Sequence, residues 1–162
     1  RGTAILTATY EGQSASETFT VEPGIAGAWS GSYVIEQCAA GAASTHDVVC
    51  GGTPGRPAGM LAAGTAVPIT LDITQSGASL TAVVMLGDIR GTLTGTDRGQ
   101  NFLALRGDLK NARDTLMTIV LWDTRVRRDA MDGAICFEVR VAGLPSNAAL
   151  TGRIEGMNRV SR

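Results

Sequence analysis

From Val67 to Thr74 every odd position is apolar (Val67, Ile69, Leu71, Ile73) and every even one is Pro68, Thr70, Asp72 or Thr74. That is the period of a strand with one buried face. Trp29, Gly31, Tyr33 and Ile35 alternate in the same way with Ser30, Ser32, Val34 and Glu36. Further strand-like runs are Leu80 to Leu86, Asp88 to Thr94, Phe102 to Leu109, Thr115 to Thr124, Ala134 to Val141 and Leu150 to Val160, which makes eight after Ala26. No segment carries an apolar stripe at helical spacing over helical length. The connections Gln75-Ser76-Gly77-Ala78, Leu86-Gly87-Asp88, Gly95 to Gly99 and Met131-Asp132-Gly133 hold the Gly and Asp residues that tight turns need. Eight sequential strands on short turns predict an all-β fold, an eight-stranded antiparallel up-and-down barrel over residues 26–162. Closure removes the sheet edges that would otherwise recruit other chains.

The inward faces of such a barrel hold Trp29, Tyr33, Ile69, Leu71, Ile73, Leu93, Leu103, Leu105, Met117, Ile119, Leu121, Ile135, Phe137, Val139 and Ile154. Gly31, Gly91, Gly152 and Gly156 fall on the same faces. The interior is either an apolar cavity or a filled core in which these glycines mark strand coiling. A ligand pocket adds convergent polar groups, and none is expected to point inward, so a filled core is the reading adopted. In this register Trp122 lies at a strand end on the face opposite Leu121.

Composition narrows the picture. The chain has 162 residues, 44% hydrophobic and 18% charged, with a net charge of −1. Such a chain buries roughly 70% of its unfolded surface, enough for a real core. Of 14 basic residues only Lys110 is a lysine, and threonine supplies much of the polar surface. The near-zero charge argues against nucleic acid or an anionic membrane as partner. No apolar run approaches the ~20 residues of a spanning helix, and none reads as a signal peptide. An outer-membrane barrel needs aromatic girdles, and aromatics make up 4% of the chain.

A long Gly/Ala/Pro-rich insertion, Ala39 to Gly64, separates the first two barrel strands. Insertions of this length serve as lids, binding loops or mobile connections. Cys38 and Cys50 bracket its first half and are expected to be bonded, which stabilises by roughly 3 kcal/mol in the chain-entropy model. Two unrelated thiols are the alternative. Cys136 falls on a strand, where a buried free thiol is expected.

Catalysis is hard to assemble from this chain. His46, the single histidine, lies in the insertion beside Ser44, Thr45 and Asp47, whereas a nucleophile-base pair needs a rigid third group. No H-E-x-x-H, C-x-x-C or G-x-S-x-G occurs. Cys38, Cys50 and His46 match no structural zinc spacing. Asp129-Ala130-Met131-Asp132-Gly133 fails as a calcium loop because Met131 occupies a ligand position. Glu36, Asp72, Glu138 and Glu155 fall on outward faces, with no facing pair for glycoside chemistry. The reading is therefore no enzyme, no metal and no cofactor. Arg125, Arg127 and Arg128, beside Asp123 and Asp129, form a hairpin tip that is either a docking patch for an acidic partner or an ordinary solvated loop.

Two resemblances add to this. Gly2-Thr3-Ala4-Ile5-Leu6-Thr7-Ala8-Thr9-Tyr10, then Glu11-Gly12-Gln13 and Ser14 to Val21, resemble the last two strands of a bacterial Ig-like domain of the group 2 kind. This implies that residues 1–23 are the C-terminal hairpin of an incomplete Ig-like domain, with Pro23-Gly24 as linker and native chain upstream. Gly27-Ala28-Trp29 resembles the opening of the calycins, the lipocalin and avidin barrels, in which a Trp plugs one end and an Arg from the last strand packs across it. Arg153 and Arg159 both lie on the last predicted strand, and the resemblance leaves the choice open. The same start followed by Thr/Gly-rich hairpins is similar to uncharacterised bacterial envelope domains that follow Ig-like repeats. The Cys38–Cys50 pair and the Ig-like resemblance together imply an extracytoplasmic protein, in periplasm or at the cell surface. The expected function is a non-catalytic binding or scaffold module, an accessory subunit partnered by protein in a larger cell-envelope complex. The alternative is a calycin-like carrier of a small apolar ligand.

Overall fold

The computed structural model describes residues 2–21, 24–51, 61–99, 102–112 and 115–160. Pro23 of the expected linker and residues 52–60 of the long insertion lie outside the described residues. Two strands, β1 (Gly2–Tyr10) and β2 (Gln13–Val21), form a separate two-stranded antiparallel sheet. Their turn is Glu11-Gly12, both at positive φ (47° and 79°), the backbone that a two-residue primed turn requires.

The rest is a closed antiparallel barrel of β3 (Gly27–Ala40), β4 (Ala66–Ser76), β5 (Ser79–Leu86), β6 (Ile89–Asp97), β7 (Phe102–Arg106), β8 (Asp108–Lys110), β9 (Thr115–Arg127), β10 (Ala130–Val141) and β11 (Ala148–Arg159). Apart from β7 and β8, neighbours in sequence pair with each other, and β11 returns to pair with β3 from Ala148–Ala40 to Arg159–Trp29. The run expected as one strand from Phe102 to Leu109 is broken at Gly107 (φ 142°) into β7 and β8, which together occupy a single place in the wall. Eight wall positions result, as the alternation predicts.

Inward residues from every barrel strand belong to one buried cluster, with Tyr33, Ile35, Ile69, Leu93 and Ile135 fully enclosed. The Tyr33 hydroxyl donates to the Ile135 carbonyl (3.0 Å), and its ring meets Phe137 edge-on with centroids 5.4 Å apart. Burial, then the nearby Cys136 and Glu36, push the Tyr33 pKa well above its ordinary value, so the hydroxyl stays a donor. Gly152 makes room for this ring: a Cβ there would stand 2.7 Å from Tyr33 Cζ. Gly31 likewise faces the backbone of Met157, 2.5 Å from where its Cβ would be. These glycines serve close packing. Gly156, expected inward, is instead an exposed residue at φ 58° in the irregularity between Glu155 and Asn158.

Four expectations are corrected. Leu121 was placed inward and Trp122 outward, but Leu121 is 48% exposed and Trp122 only 3%. The cause is a register shift opposite Cys136–Phe137, where β9 carries an extra residue; Val120 and Leu121 both point out and the rest of the strand changes phase. Trp122 is mid-strand, and its Nε1 donates to the buried Thr124 Oγ1 (2.8 Å). A helix, α1 (Ala43–Val49), stands where none was expected. Seven residues, of which Thr45 and Val49 are buried, are too few to write a stripe into the sequence. Cys136 is free as expected, but half-buried and on the outer side of its strand rather than in the core.

In denaturant melts Trp122→Ala should therefore cost about as much as Trp29→Ala, about 3–5 kcal/mol each, the range for a large aromatic leaving a core. Leu121→Ala should change stability by less than about 0.5 kcal/mol. A larger loss from Leu121 than from Trp122 would return the strand to its uninterrupted register.

Candidate functional site

Three parts of the barrel gather the side chains singled out above: its floor, its lid and one stretch of wall. At the floor Trp29 is buried and its Nε1 donates to the Ile25 carbonyl (3.0 Å). The Arg159 guanidinium lies over the indole, 4.6 Å from the ring centroid. Its two terminal nitrogens donate to the carbonyls of Ala26 and Gly24, each at 2.6 Å, and Nε lies 3.4 Å from Asp129 Oδ1 in the β9–β10 turn. One planar cation thus ties the segment before β3, the Trp plug and a distant turn together, which a flexible ammonium does poorly. Arg153 lies elsewhere. It sits on the outer face, paired with Glu36 and with Glu155 at 2.6 Å, and the hydrogen bonds it donates to these carboxylates, Glu155 first, raise its pKa.

The lid is at the other end of β3. Cys38, near the end of that strand, is bonded to Cys50, which follows α1. Ser146 in the β10–β11 connection accepts from the Ala42 amide (3.1 Å) and donates to the Thr45 hydroxyl (3.1 Å). Val49, Cys50 and Leu61 join the core. The first half of the insertion is therefore docked on the barrel rather than a mobile connection. His46 is half-buried on α1; Ser44, Thr45 and Asp47 lie one or two positions from it along the helix and so do not face it. The Thr45 hydroxyl is already committed to Ser146.

The arginine tip is the β9–β10 turn, at the floor end of the barrel, and the wall runs back from it along β9. Arg128 is at φ 58° in the β9–β10 turn. Arg127 lies 4.0 Å from Asp132, with both side chains mostly exposed. Arg125 stands back from the tip, its guanidinium 5.1 Å from the Phe102 ring centroid. Met131, between Asp129 and Asp132, turns into the core. Among the described residues no group of three or more His, Cys, Asp or Glu side chains is placed to hold a metal ion.

Sequence reasoning missed a groove of about 500 Å³ on the outer wall between β7 and β9. β7 pairs with β9 at Phe102–Arg125 and Leu103–Thr124, and pairing resumes at Asp108–Thr118. The strands are out of register between these points. Arg98, Arg106, Val120, Leu121 and Asp123 line the opening. The available signal was Ile119-Val120-Leu121-Trp122, four apolar residues in succession on one strand.

No family model matches the chain, and no curated protein or solved structure is significantly similar to it. The class that fold and geometry define is a closed eight-stranded antiparallel β-barrel with a separate two-stranded hairpin, disulfide-bonded at its lid.

Arg159→Ala should lower stability by about 2–4 kcal/mol, from the lost ring contact and two charge-assisted hydrogen bonds. Arg159→Lys should recover less than half, and Arg153→Ala should move the denaturation midpoint far less. Equal effects from Arg153 and Arg159 would remove the clamp from the floor.

Proposed function

We propose that this chain is a non-catalytic binding or scaffold module that works outside the cytoplasm as an accessory part of a larger cell-envelope protein assembly. The observation that carries the reading is apolar surface left uncovered on sheets otherwise clothed in hydroxyls and charge. Ile5, Leu6 and Tyr10 of the hairpin are 68%, 65% and 77% exposed, and Val120 on the wall is 67% exposed. Val120 and its neighbour Leu121 point out together at the β9 bulge, and contiguous exposed apolar groups on a folded protein mark contact sites. A two-stranded hairpin alone is marginal in water, which fits a hairpin of the Ig-like kind that packs on further chain or on a partner. The Cys38–Cys50 disulfide supports an oxidising compartment.

A second reading, a calycin-like carrier of a small apolar ligand, draws on the Trp29–Arg159 floor, which matches the arrangement that the G-x-W resemblance implies. Chemical cross-linking of the protein in native envelope extract, followed by capture and mass spectrometry of both protein and small molecules, separates the two. The module reading predicts a stoichiometric protein partner, held equally by wild type and His46→Ala. A barrel that captures no protein but carries an apolar small molecule would replace it with the carrier.

A further inference from the structure

We infer that the groove between β7 and β9 is a docking site for an extended, acidic segment of a protein partner, anchored by an apolar side chain. This rests on the binding-module reading and names the surface and the partner's chemistry. Three features converge on one stretch of wall. The bulge in β9 turns two consecutive apolar residues, Val120 and Leu121, toward solvent, and they form an anchor for an apolar side chain. Arg98 and Arg106, both exposed, stand at the groove, with Arg125 beside it over Phe102; Asp123 is the one carboxylate among the groove-lining residues. Charge complementarity therefore calls for carboxylates on the ligand. Finally, the ladder is interrupted from Ala104 to Arg106 on β7 and from Val120 to Asp123 on β9.

Charge number decides between ligand types. Arg98, Arg106 and Arg125 flank the outward apolar pair, which favours several carboxylates spaced along an extended chain with an apolar side chain between them. A fatty acid would meet the apolar anchor but offers a single carboxylate to the arginines.

Selection of a random octapeptide display library on the folded barrel, with amide chemical-shift mapping of the enriched peptides, tests this. The expected peptides place Asp or Glu on either side of an apolar residue and shift the amides of Ala104, Val120 and Leu121. The double variant Arg98→Glu/Arg106→Glu, built at exposed positions that leave the core intact, should weaken binding about tenfold, as loss and reversal of exposed charge contacts implies. The same variant should enrich Lys- and Arg-bearing peptides instead. Leu121→Ser should weaken both classes. Neutral or basic peptides on wild type, no enrichment, or a footprint away from the seam would overturn the groove, as would displacement of the peptide by dodecanoate at equal concentration. None of these results touches the binding-module reading, which stands or falls on the cross-linking capture.

Discussion

The ladder between the first and last barrel strands is the constraint on which the rest of the molecule depends. Antiparallel neighbours alternate in direction, so the last strand returns antiparallel to the first only if the number of wall positions is even. The division of one position between β7 and β8 preserves that parity because the chain does not reverse at Gly107. Once β11 lies on β3, every barrel strand has two neighbours and the inward side chains of all of them meet in one core. Floor and lid then sit at opposite ends of the same strand: Trp29 near the start of β3, Cys38 near its end.

Closure has local costs, and they explain where the chain departs from regularity. β11 bulges past Gly31 through Gly156 and Met157, and β3 carries an extra residue, Glu36, opposite Thr151 and Gly152. Such bulges bend a strand and deepen its twist. The β9 bulge does the same and leaves Val120 and Leu121 outside. Irregularity that shapes the barrel thus also creates its most contact-ready wall. Arg159 anchors the end of β11 against Trp29 and the segment before it, so the closing strand is held at its terminus as well as along its ladder.

Strand number, order and facing were legible because period-two alternation is a direct imprint of one buried face. Val67 to Thr74 shows this plainly: Ile69, Leu71 and Ile73 are buried, Thr70, Asp72 and Thr74 exposed. Leu121 was not legible, since a bulge inserts one residue and alternation then counts to the wrong face. The helix after Cys38 was not legible either, as only Thr45 and Val49 turn inward and a buried threonine looks polar in sequence. Of the floor, Trp29 was legible as an inward residue from the alternation of β3, while the contact of Arg159 rather than Arg153 with it depends on strand phase after the Gly156 bulge. The β7–β9 groove depends on a break in pairing between strands far apart in sequence, which no local pattern records.

Native-state hydrogen exchange at the seam is the most direct test of closure. If β3 and β11 pair as described, the amides that bridge Ser32–Glu155 and Val34–Arg153 should exchange only through the global unfolding that also exposes the β4–β5 ladder. Exchange of the β3 and β11 amides at rates typical of sheet edges, with β4–β5 still protected, would show an open sheet and contradict the closed barrel.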